Sequence, residues 1–167
     1  MNELLDDWTL LVVLLSSIIA LTALVTLIVR HRFKRSVTIA VASILGIFAG
    51  VGGASHGPGE ILQGNMAPSG IIIEAWPELT SLSGEPAMTL IPNFSVTGIV
   101  TVITGIAVTI WAATRIQSKN GPLVLILLST MMLFVGGGLI PPVFGVVAGI
   151  IGARVSQKDL KTSHQKA

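Results

Sequence analysis

The chain has 167 residues, of which 51% are hydrophobic and 11% charged, with a net charge of +2. A soluble domain carries about 25% charged residues, so this composition cannot cover the surface of a soluble fold; disorder is excluded as well, because disordered chains are poor in apolar residues. The absence of cysteine excludes disulfides, thiolate metal sites and thiol catalysis.

What remains is an all-α membrane protein, a bundle of four to five transmembrane helices. Residues 8–29 form an uncharged run. Roughly 20 helical residues cross about 30 Å of hydrocarbon, so this run is a full span. The acidic start (Glu3, Asp6, Asp7) and the lack of a small-residue cleavage site set it apart from a secretory signal. The cluster Arg30, Arg32, Lys34 and Arg35 follows, and 37–54 is the second span.

The segment 55–93 is 39 residues long and differs in kind. It carries Pro58, Pro68, Pro77, Pro86 and Pro92, together with Glu60, Glu74, Glu78 and Glu85, and no Lys or Arg. A third span covers 96–114. Arg115 and Lys119 sit in the connector after it, and 122–153 is then free of charge. Gly136-Gly137-Gly138 and Pro141-Pro142 interrupt this last stretch. Proline lacks a donor and clashes with the preceding turn, so paired prolines end a helix or begin one. The expected result is a short Gly/Pro-broken hairpin with arms at about 122–135 and 142–157. The alternative is one kinked span.

All ten basic residues fall in 30–35, 115–119 and 154–166. Cytoplasmic loops collect Lys and Arg. The N-terminus and the 55–93 segment are therefore expected outside the cell membrane, and the tail 158–167 in the cytoplasm. A single kinked last span would put the basic tail outside, against this bias. Trp8, Trp76 and Trp111 fall at expected boundaries, the level that tryptophan favours.

Small residues let membrane helices pack closely. Ala42, Gly46, Gly50 and Ala54 form one stripe; Gly145, Gly149 and Ala153 form another. Gly98 and Gly105 share a side of the third span. Such stripes serve packing within the bundle or an interface between subunits, and packing within the chain is the reading preferred here. Thr97, Thr101 and Thr104 are expected to bond the carbonyls one turn back in their own helix.

The apolar runs contain no ionisable residue, which argues against a carboxylate-coupled pump and an intramembrane protease. A site is therefore expected outside, with His56, Glu60, Glu74 and Glu78 as candidates for binding a cation or for acid/base work. The intervening Gly57-Pro58-Gly59 argues against a regular helix joining His56 to Glu60, and a turn with both side chains in water is the competing view. Residues 70–79 read as an interfacial helix, a re-entrant element or a strand; β-branched Ile71–Ile73 lean to the last. Asn93-Phe94-Ser95 matches a glycosylation sequon but abuts a span, and is taken as chance.

No phosphate-binding loop, hydrolase signature or repeat is present. The expected function is a small non-enzymatic membrane component, accessory, structural or ligand-binding, with no cofactor. Its partners are the lipid bilayer and a membrane protein or second copy, with no nucleic acid. The alternatives are a small channel or permease-like oligomer, and an outer-face enzyme using His56 with Glu60 or Glu74.

Overall fold

The structure, a computed structural model, describes residues 37–73 and 86–164, without the side chains of 156–164. The expected first span (8–29), the cluster 30–35, Glu74 and Glu78 lie outside the described residues. The described residues form four helices and a small ladder: α1 (Val37–Leu62), β1 (Ile72–Ile73), β2 (Ala87–Met88), α2 (Phe94–Thr114), α3 (Gly121–Phe134) and α4 (Ile140–His164). Two of them, α1 and α2, are long and apolar enough to cross a membrane; α3 and the apolar part of α4, Ile140–Val155, are shorter.

Glycine sets how the helices meet. Gly50 of α1 faces Gly105 of α2, and Gly57 faces Gly98, seven residues on in each helix and in opposite directions. The two helices are therefore antiparallel, with their backbones in near contact. Gly46 faces Ala148 and Gly52 faces Pro141, so α4 also runs antiparallel to α1. Gly145 receives Ser129, and Gly149 receives Ile126 and the Pro122 carbonyl, which makes α3 and α4 an antiparallel hairpin. The result is an up-down-up-down bundle. Its apolar centre includes Ile47, Val108, Ile116, Leu125 and Met132. Gly46, Gly50, Gly145 and Gly149 of the two stripes thus meet other helices of this chain.

The last apolar stretch is two helices and not one kinked helix. Val135 to Leu139 separate them. Gly136 and Gly138 take φ of +107° and +74°, a region that L side chains avoid. Pro141 and Pro142 open α4, where a missing N–H costs nothing. Helix α4 then runs on to His164, past the expected end of the span at 157.

The first described helix departs from expectation. It continues through Gly57-Pro58-Gly59 to Leu62, eight residues beyond the uncharged run. Pro58 is exposed, so its lost donor lies at the helix surface, while buried Gly57 admits the Gly98 carbonyl. Packing against α2 has overridden the local turn signal. The helix ends where Gly64, at φ +76°, donates to the Ile61 carbonyl.

Strands β1 and β2 pair antiparallel, Ile72 with Met88 and Ile73 with Ala87, and Ile73, Ala87 and Phe94 cluster beneath them. Of the readings of 70–79, the strand applies to Ile72–Ile73, and 74–79 lie outside the described residues. The Asn93 side chain accepts from the Val96 N–H at 3.0 Å, so this residue is the N-cap of α2.

Candidate functional site

Four buried polar residues, Glu60, Thr89, Thr97 and Thr101, gather at one end of the bundle, while Ser43 and Ser129 are buried elsewhere in it. Glu60, on the last turn of α1, is 3% exposed. Across from it, α2 presents Thr97 and Thr101, both fully buried. The α3–α4 turn contributes the Val135 carbonyl and Gly136. From the third side comes Thr89, just after β2 and also buried. Its backbone bridges to Val135, and Leu90 N–H donates to the Phe134 carbonyl at 3.0 Å.

The side chains of these residues form two hydrogen-bonded sets, one turn apart on α2. Thr89 and Thr97 share a hydrogen bond of 3.1 Å between their hydroxyls. Thr97 also donates to the Ile91 carbonyl. One turn further along α2, the Thr101 hydroxyl lies 3.2 Å from Glu60 Oε2 and bonds the Val135 carbonyl. Glu60 Oε1 is buried with no hydrogen-bond partner among the described residues. Both carboxylate oxygens and the Thr101 hydroxyl converge on the bare face of Gly136, where a Cβ would stand 2.7 Å from Glu60 Oε2 and from Thr101 Oγ1. Only glycine fits there, for its contacts as well as for its φ.

The sequence placed Glu60 in water or at a turn; the structure corrects both. Glu60 lies on a regular helix, one turn after half-buried His56, and is directed into the bundle. Thr97 and Thr101 also depart from expectation, since their partners lie on other elements; Thr104 alone bonds its own helix, donating to the Val100 carbonyl at 2.8 Å. No group of three His, Cys, Asp or Glu able to hold a metal occurs among the described residues.

Among the described residues, the lysine and arginine side chains lie far from Glu60. Arg115 caps α2 fourteen residues beyond Thr101, about 21 Å along the helix. Lys119 follows in the α2–α3 connector, and Gly152, two residues before Arg154, packs on Ile116 and Pro122 at that same end. The bundle thus has a basic end and an end that holds Glu60.

Thr89, Thr97, Thr101 and Gly136 were missed as site residues. The available signal was the four-residue spacing of Thr97 and Thr101 on a span with apolar residues on its other faces. No protein family, curated protein or solved structure matches this chain.

Proposed function

We propose that the chain is a multi-pass protein of the cell membrane, with the Glu60 end outside and the basic end, including the C-terminus, in the cytoplasm. Its role is non-enzymatic: it binds a small ligand at the Glu60 end.

One observation carries the membrane reading, namely that the helices turn apolar faces outward and keep their threonines between helices. Val96, Ile99, Ile103, Ile106 and Ile110 line the exposed side of α2, while Thr97, Thr101 and Thr104 face inward. The outer faces of the other helices follow suit, with Phe48 on α1, Leu127 and Met131 on α3, and Val143 and Val147 on α4. In water such helices would turn polar residues outward. In lipid, small and polar residues belong between helices. The positive-inside bias then assigns the basic end to the cytoplasm.

The test is thiol labelling in intact cells. Ser69 and Lys119 are exposed at opposite ends of the bundle, and the chain has no native cysteine to remove. Ser69→Cys should react with an impermeant maleimide at once, and Lys119→Cys only after permeabilisation. Equal labelling of both in intact cells, or release of the protein from membranes by alkaline carbonate, would refute the proposal.

A small permease is the second reading. The two sets Thr89–Thr97 and Thr101–Glu60 favour it, because they carry polar groups from the β ladder into the bundle. The outer-face enzyme has less support, since Glu60 is turned into the core and away from a substrate in water.

A further inference from the structure

Three buried oxygen groups meet at the Glu60 end, and their protons can be counted. The Val135 carbonyl can only accept, and the Thr101 hydroxyl bonds it. That bond uses the single proton of the hydroxyl. The Thr101 oxygen also lies 3.2 Å from Glu60 Oε2. With its proton committed to Val135, Thr101 can only accept in this second contact. An ionised carboxylate has no proton to give, so the contact is a hydrogen bond only when Oε2 carries one. Turning the Thr101 proton to an ionised Glu60 instead would strand the Val135 carbonyl, leaving its oxygen against the lone pairs of Thr101.

The surroundings favour the same state. Oε1 is buried with no partner among the described residues. Left bare, the carbonyl oxygen of a neutral acid costs far less than an oxygen of a buried carboxylate, which forfeits the hydration of a charge. Gly136 presses on both oxygens and leaves no room for water or an ion on that face. Val135 follows the last turn of α3, the negative end of the helix dipole, which repels a carboxylate. The described parts of α2, the α3–α4 turn and the residues after β2 bring no titratable or charged side chain to this end. On α1 itself the one such neighbour is His56, a turn back.

We infer that Glu60 is a proton-binding site, its Oε2–H donating to Thr101 and the Thr101 hydroxyl to Val135, and that this proton latches α1 to the α3–α4 turn. Releasing it opens the Glu60 end. Once ionised, Glu60 competes with Val135 for one hydrogen and sets an uncompensated charge against a carbonyl. The element free to yield is the turn, which holds Gly136, Gly137 and Gly138 and is tied to the β ladder by the Leu90 N–H on the Phe134 carbonyl. The closed form binds one proton more than the open form, so acid closes this end and alkali opens it. A closed end admits nothing, so the latch bears on the site proposed above. It rests on hydrogen-bond geometry and not on that ligand or on membrane orientation, so either can fail without the other.

The experiment uses the full chain purified in detergent. Infrared spectra at neutral pH should show the C=O stretch of a neutral carboxylic acid in the unaltered protein. Glu60→Gln should lack this band, and Thr101→Val should shift it by removing the acceptor of the acid proton. Amide hydrogen exchange at Leu90 reads the opening. Glutamine keeps a donor and has no charge, so Glu60→Gln stays latched at every pH. Leu90 should exchange at equal rates in the two proteins in acid, and about tenfold faster in the unaltered protein at alkaline pH. His56 is present in both and cancels. The Arg115 amide, bonded to Trp111 at the basic end, is a reference within the unaltered protein, so the reading does not depend on Glu60→Gln folding. The absence of a neutral-acid band from the unaltered protein would overturn the inference, as would a band that persists in Glu60→Gln. So would Leu90 exchange that keeps a constant ratio to that of Arg115 from acid to alkali.

Discussion

Gly50 and Gly105 meet across the α1–α2 contact so closely that each carbonyl oxygen stands 2.6 Å from where the other residue's Cβ would be. Gly57 and Gly98 repeat the arrangement two turns away. The close approach depends on both partners in each pair, because the obstacle is backbone and cannot swing aside.

Alanine at Gly50 or Gly105 should therefore force the helices apart, at a cost of about 1–3 kcal/mol, the usual range for overpacking. Gly70→Ala is the control: it is exposed, with nothing within 4 Å of its would-be Cβ. Thermal unfolding in detergent should show a clear drop for Gly50→Ala and Gly105→Ala and none for Gly70→Ala. Unchanged stability with loss of an oligomer would instead move these glycines to an interface between chains.

Gly136 and Gly64 allow conformation and contact to be separated. Both have positive φ. Gly64 has open space around it, while Gly136 faces the oxygens of Glu60 and Thr101. Gly64→Ala should cost only the left-handed backbone penalty, about 1–2 kcal/mol. Gly136→Ala should cost more, and denaturation midpoints of the two variants measure the excess. Equal losses would mean that the oxygens do not press on Gly136.

The sequence announced the bundle more clearly than its site. The break at Gly136-Gly137-Gly138 was legible because glycine and proline act locally. The stripes were legible because close packing between membrane helices needs small residues at helical spacing. Helix α1 continuing through Gly57-Pro58-Gly59 was not legible. The same residues signal a turn in isolation and a close helix contact in the fold, and only the opposite helix decides between them. Glu60 was misplaced for this reason: once the helix continues, its side chain lands against Thr101 instead of in water. The partners of Thr97 and Thr101 were likewise hidden, because Ile91 and Val135 come from turns whose course the sequence did not fix.

Thr101 and Thr104 sit one turn apart on α2, and valine at each should have unlike effects. Valine keeps the shape of threonine and removes the hydroxyl. Thr104 donates only to Val100 in its own helix, and a local back-bond of this kind contributes little to tertiary stability. Thr104→Val should therefore change stability by less than about 1 kcal/mol. Thr101 joins α1 to the α3–α4 turn, serving Glu60 Oε2 and the Val135 carbonyl. Its removal strands buried polar atoms on two elements, a loss of about 1–3 kcal/mol. Thr101→Ser restores the hydroxyl and should recover most of that loss. Denaturation midpoints of the three variants decide the matter: equal effects of Thr101→Val and Thr104→Val would show that Thr101 does not tie α1 to the α3–α4 turn.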